Sequence, residues 1–155
     1  ITAILLCIYW YKNNILINHF KNTNSKKNNF MIFGVLSAIF LIVHSVLLGL
    51  ETDIKIFKFL RRIVLVSFII FEIIAQSILV INFYKLKNQL KNFFNPNILK
   101  LKILLVSVLI FVAVISIPIL IMSGNIHFKH GLEWNYFIGV IMFYLLTSFF
   151  WKKIF

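Results

Sequence analysis

Apolar residues fall in long runs along this chain, and the polar ones are gathered between them. Complete runs cover about Phe30 to Leu50, Ile63 to Phe83, Ile103 to Met122 and Tyr136 to Trp151, after an opening run from Ile1 to Tyr11. A helix rises about 1.5 Å per residue, so about 20 apolar residues cross the hydrocarbon core of a bilayer. The last run is short for this task, and the opening run has half the needed length and reads as the end of a truncated span. The pattern therefore predicts an all-α fold: a polytopic integral membrane helical bundle, one transmembrane domain over residues 1–155. Five spans are visible, and six are expected in the full chain. Each run is apolar on nearly every side, so periodicity does not separate the lipid face from the bundle face.

The connecting segments are too short to form domains of their own. Residues 12–29 read as a solvated loop rich in Asn and Lys. Ile54 to Arg62 alternates apolar and basic residues and suggests an interfacial segment whose Lys55, Lys58, Arg61 and Arg62 snorkel to water. Beyond Phe83, Leu86, Leu90 and Phe94 recur at helical spacing, so the third helix is expected to run past the membrane surface until Asn95-Pro96-Asn97 ends it. Pro118 removes a backbone donor inside the fourth span and predicts a kink there.

Composition confirms lipid as the solvent: 61% of residues are hydrophobic, 18 are Phe, and the mean hydropathy is +0.97. Soluble domains carry roughly 45 to 50% apolar residues. The net charge of +12 would suggest nucleic acid in a soluble chain, but no connection is long enough to hold a nucleic-acid module. The basic residues read instead as membrane-edge charges. With alternating spans, one side collects eleven Lys, in 12–29, in 84–102 and at the C-terminus, while the other holds Lys55, Lys58, Arg61, Arg62 and Lys129. The lysine-rich side is expected to be cytoplasmic, in a bacterial inner membrane or a eukaryotic endomembrane. Its partners there are membrane lipids, anionic headgroups above all. Cys7 is the single cysteine, so neither an internal disulfide nor a cysteine zinc site is available.

Glu72 is the only charged residue between Ile63 and Phe83. An acid at mid-membrane is costly and marks a site to which a partner should be sought. Gln76, one turn on, shares its helix face. His44 and Ser116 lie at depths from which their side chains could approach, and a His44–Glu72 pair is the sharpest contact the spacing suggests. Three readings stay open for Glu72, Gln76, His44 and Ser116: an interhelical hydrogen bond that serves packing, proton or substrate handling, or an accidental polar position that faces lipid. The other serines within spans, Ser37 among them, read as packing residues.

A second group, His127, His130, Glu133 and Trp134, precedes the last span. Three readings apply: an exposed polar loop, an exterior binding or catalytic patch, or a metal site completed by Glu51 or Asp53. The loop is favoured, because nothing fixes further ligands nearby. Trp134, Tyr136 and Trp151 suit an interfacial aromatic belt. Neither a nucleophile elbow nor a P-loop, HExxH or dinucleotide motif occurs, and no cofactor is implied.

The order of spans, with Ser123-Gly124-Asn125, His130-Gly131-Leu132-Glu133-Trp134, Phe137, Phe143, Leu146-Thr147 and a basic end, resembles the damage-regulated autophagy modulator family. The resemblance implies a six-span fold with both ends cytoplasmic, of which residues 1–153 would form the last five spans, and a lipid-linked role. Gln76 would match a glutamine of that family's third span. The leading expectation is a structural or lipid-interacting membrane protein rather than an enzyme. The alternatives are a small transporter or proton-coupled carrier using Glu72, Gln76 and His44, and a lipid-modifying enzyme with an outer-face His/Glu patch.

Overall fold

The computed structural model describes residues 1–20, 29–50, 55–90, 92–122 and 126–151, excepting the side chains at 55, 116–122, 126–130 and 133. Five helices follow one another: α1 (Thr2–Phe20), α2 (Phe30–Gly49), α3 (Lys55–Lys85), α4 (Pro96–Met122) and α5 (Ile126–Ser148). The fold is all-α, and the one β-like feature among the described residues is an isolated antiparallel bridge between Phe94 and Trp151. Three helical segments are long and apolar enough to cross a membrane, Phe30–Gly49, Ile56–Lys85 and Pro96–Ile115, and Trp134–Ser148 is a shorter apolar helix.

Several boundaries differ from the sequence expectation. Residues 12–20 continue α1 instead of opening a loop. They do so because Leu6, Trp10, Asn13 and Ile17, spaced four, three and four apart, form one buried stripe that runs through the polar stretch. The basic segment before Arg62 is likewise the start of α3. At its other end α3 stops at Lys85, and residues 86–90 and 92–94 follow as turns and a bridge, with bonds such as Leu90 N–H to Leu86 O and Phe93 N–H to Leu90 O. Asn95-Pro96-Asn97 opens α4 rather than closing α3. The Asn95 Oδ1 accepts from the Asn97 N–H at 3.0 Å and Pro96 takes the first helical position, where a missing N–H costs nothing. The backbone of 126–130 belongs to α5, which corrects the loop reading there.

The chain packs as two compact units, Ile1–Leu79 and Val80–Phe155. In the first, α1 lies on α2 through Trp10, which is fully buried beside Phe30 with ring centroids 6.1 Å apart. Gly34 permits this approach, since a Cβ there would stand 2.4 Å from the indole. The buried face of α2 is Phe30, Gly34, Ser37 and Ala38. Phe71 of α3 stacks on both Phe33 and Phe40, at 6.1 Å and 5.4 Å, residues seven apart and hence on one face of α2.

In the second unit, Val106 and Leu109 of α4 and Val140 and Phe143 of α5 are buried. Gly139 lies so near Leu109 that a Cβ would meet its Cδ2 at 2.5 Å. An aromatic cluster closes the end of this unit: Phe94 stacks on Phe150 at 5.0 Å, and Phe83 meets Phe150 at 5.0 Å in a tilted pair. The Asn95 N–H donates to Phe150 O at 2.9 Å, tying the segment before α4 to the one after α5.

Candidate functional site: a buried carboxyl cluster

Glu72 and Gln76 are both fully buried on α3. Their spacing of four places them on one face, and Gln76 Nε2 donates to Glu72 Oε1 at 3.1 Å. The interhelical partner is Ser37 of α2, whose Oγ lies 2.6 Å from Glu72 Oε2 and 2.8 Å from Gly34 O. Ser37 sits on the buried stripe of α2 three residues after Gly34, so the glycine that admits Trp10 also offers its carbonyl to the serine hydroxyl. Three polar side chains and one carbonyl thus form a continuous hydrogen-bonded chain in an otherwise apolar setting of Phe68, Ile69, Ile73 and Ala75.

Proton counting shows what this cluster can do. A serine hydroxyl has one proton and can donate only once at a time. Ser37 faces two oxygens, of Gly34 and of Glu72, and both bonds are made together only when the carboxyl oxygen is the donor to Ser37. Gln76 Oε1 is buried and has no hydrogen-bond partner among the described residues. With a proton on Oε2, the carboxyl donates to Ser37 and Ser37 donates to the Gly34 carbonyl, so a neutral acid satisfies both bonds at once.

Where a His44–Glu72 pair was expected, the carboxyl is bonded by Ser37 and Gln76, and His44 Nδ1 has no hydrogen-bond partner among the described residues. His44 is seven residues beyond Ser37, on the same helix face and about 10 Å further along the axis. The apolar pattern gave the face, but the register of α2 against α3 is set by the Phe33–Phe71–Phe40 stack and selected the serine. Ser116, His127, His130 and Glu133 have side chains outside the described residues. Trp134 is 67% exposed, with Phe137 at its edge, a placement on the outside of α5. No group of three His, Cys, Asp or Glu side chains converges among the described residues.

Sequence reasoning missed a second polar site altogether. Lys102, counted above among membrane-edge charges, is 1% exposed. Its Nζ donates to Thr147 Oγ1 at 2.6 Å and stands 4.2 Å from the Phe143 ring centroid and 5.1 Å from that of Phe150. Thr147 Oγ1 donates in turn to Phe143 O at 3.1 Å. An ammonium over aromatic faces is attracted by their negative quadrupole, more strongly where water is excluded. The available signal was spacing: Leu99, Lys102, Val106 and Leu109 are all buried, three, four and three apart, so Lys102 occupies a core position of α4.

The chain matches no known protein family, no curated protein and no solved structure.

Proposed function

We propose that this chain is a multi-span integral membrane protein with a structural and lipid-interacting role, in which the Glu72 cluster fastens α2 to α3. The observation that carries the reading is the outer surface of the long helices. On α2 alone Ile32, Ile39, Ile42, Val46 and Leu48 are each about half exposed or more, and α4 exposes Leu104, Phe111 and Val114 by more than 60%. A soluble monomer rarely leaves contiguous apolar patches of this extent uncovered; acyl chains cover them without cost. Carbonate extraction followed by flotation tests the reading: the chain should stay with the membrane at high pH, and release into the supernatant would overturn it.

A second reading, a proton-coupled carrier, is favoured by one observation, a carboxyl buried on a long apolar helix and hydrogen-bonded to Ser37 and Gln76. In that case Glu72→Gln abolishes a pH-dependent flux in proteoliposomes. If the cluster only fastens helices, the same substitution leaves permeability unchanged, because its amide can satisfy Ser37 and Gln76 as the carboxylic acid does.

A further inference from the structure

Between the end of α3 and the first turns of α4 lies a cavity of about 350 Å³ whose lining is divided by chemistry. Lys87, Asn88 and Lys100 supply polar groups, and Phe94, Leu99 and Ile103 supply an apolar wall. The three polar residues are exposed, whereas Phe94 and Leu99 are buried, so the cationic groups form the rim and the rings and branched chains the floor. Lys87 is placed by its aromatic neighbour, with Nζ 4.6 Å from the Tyr84 ring centroid.

Among the described residues of the unit, no acid faces either rim lysine. The stretch 84–102 contains five lysines and no acid, and the one acid of 80–155 is Glu133. That residue belongs to α5 fifteen residues before its end at Ser148, or about 22 Å along the axis, whereas the aromatic cluster beside this cavity forms just after that end. The cavity thus presents two ammonium groups, without an acidic partner among the described residues, and a carboxamide over an apolar floor.

Its place in the fold says what kind of anion fits. The two segments that meet here, Ile56–Lys85 and Pro96–Ile115, are both long and apolar enough to cross a membrane, and the cavity stands at their ends, where hydrocarbon gives way to water. Lys100, Leu104 and Phe111 are all exposed and, being four and then seven apart, share one face of α4. A cation at the edge therefore continues into an apolar strip facing lipid.

We infer that this cavity is a binding site for an anionic phospholipid, its headgroup phosphate held by Lys87, Asn88 and Lys100 and its acyl chains lying along Leu104 and Phe111. The assignment rests on the reading of the chain as membrane-embedded. A soluble phosphate compound would find the cations but leave the apolar floor and strip uncovered; a zwitterionic lipid would cover the strip but bring its own cation to the rim. Each lysine near an anionic headgroup contributes about 1 kcal/mol, so loss of both should weaken binding on the order of 30-fold.

The test is titration of the purified full chain, in neutral detergent, with fluorescently labelled phosphatidylglycerol and phosphatidylcholine. The expected result is a preference for phosphatidylglycerol that falls on the order of 30-fold in Lys87→Gln/Lys100→Gln, is retained in Lys87→Arg/Lys100→Arg, and is untouched by Lys58→Gln/Arg61→Gln. Circular dichroism checks that each variant keeps its helicity. Equal weakening by both charge-removing pairs would show general surface attraction and overturn the site. So would equal binding of the two lipids, or displacement of the bound lipid by millimolar inorganic phosphate. Carbonate extraction of the same preparation reports on membrane residence separately: a chain that stays in the membrane but shows no lipid preference loses the site and keeps the broader reading.

Discussion

Ser37 Oγ and Glu72 Oε2 lie 2.6 Å apart, 35 residues apart in sequence and on different helices. Through this pair α2 and α3 share a side-chain hydrogen bond within the first unit, and both residues are fully buried. Hydrogen bonds of this kind between helices in lipid contribute about 0.6 to 2 kcal/mol.

The pair should therefore show thermodynamic coupling. Ser37→Ala is expected to destabilise the chain by about 1 to 2 kcal/mol, and Ser37→Ala combined with Glu72→Leu by less than the sum of the two single changes. A double-mutant cycle in mixed micelles, with helicity as the signal during denaturation by an ionic detergent, measures the coupling. Strict additivity would mean that the bond contributes nothing.

Glu72→Gln and Glu72→Ala should behave differently. The amide keeps the shape of the carboxylic acid, can donate to Ser37 and accept from Gln76, and is expected to change stability by less than about 0.5 kcal/mol. Truncation to Ala leaves buried polar groups of Ser37 and Gln76 short of partners and should cost about 2 to 4 kcal/mol through desolvation and cavity. The same unfolding assay separates them; a Glu72→Gln chain as unstable as Glu72→Ala would show that the cluster needs the ionised acid.

Gly34 is the contact point of α1 and α2. A methyl group at Gly34 would stand within 2.5 Å of three atoms of the Trp10 ring, far inside contact distance, and rigid indole on a packed face cannot yield by rotation alone. Gly34→Ala is predicted to cost about 1 to 3 kcal/mol as overpacking. Trp10→Leu should recover part of that loss in the double variant. A Gly34→Ala chain with wild-type stability would place Trp10 elsewhere.

Lys102 should be dispensable as a charge but not as a volume. Replacing a buried ion by an apolar group of similar size is often neutral or stabilising, so Lys102→Met is expected to match or exceed the original stability. Lys102→Ala leaves a void among Phe143, Phe150 and Thr147 and should cost about 2 to 4 kcal/mol. Thr147→Val is expected to be harmful only while Lys102 is present, because it strips the ammonium of its hydroxyl partner. If Thr147→Val is equally harmful beside Lys102→Met, the loss comes from the threonine's own bond to Phe143 O.

The legible and illegible parts of this chain divide by kind of information. Helix type and the three long apolar segments were readable because composition and run length report directly on them: Phe30 to Gly49 and Ile63 to Phe83 are apolar for long enough to cross a membrane as helices. Glu72 and Gln76 were readable as a pair because one helix turn fixes their separation. Ser37 and Lys102 were not. Ser37 resembles every other serine in a span, and Lys102 resembles the neighbouring Lys100, which is exposed; two residues of sequence, about 200 degrees of helix rotation, separate a surface cation from a buried one. The extension of α1 through residues 12–20 was hidden for a related reason. Its stripe is carried by Trp10, Asn13 and Ile17 among polar neighbours, and composition outweighed the spacing.

By itself, then, the sequence determined an all-α chain with long apolar helices, basic residues gathered about the ends of the apolar runs and one acid in the middle of a run. These follow from local chemistry, the apolar content of each run and the geometry of a single helix. Only the tertiary structure decided which serine meets Glu72, that Lys102 turns inward to the Phe143 and Phe150 rings, and that Lys87 and Lys100 gather at one cavity. Those choices depend on the register of one helix against another, and register is set by how individual rings, glycines and caps interlock, which in a chain apolar on nearly every face no periodic pattern records.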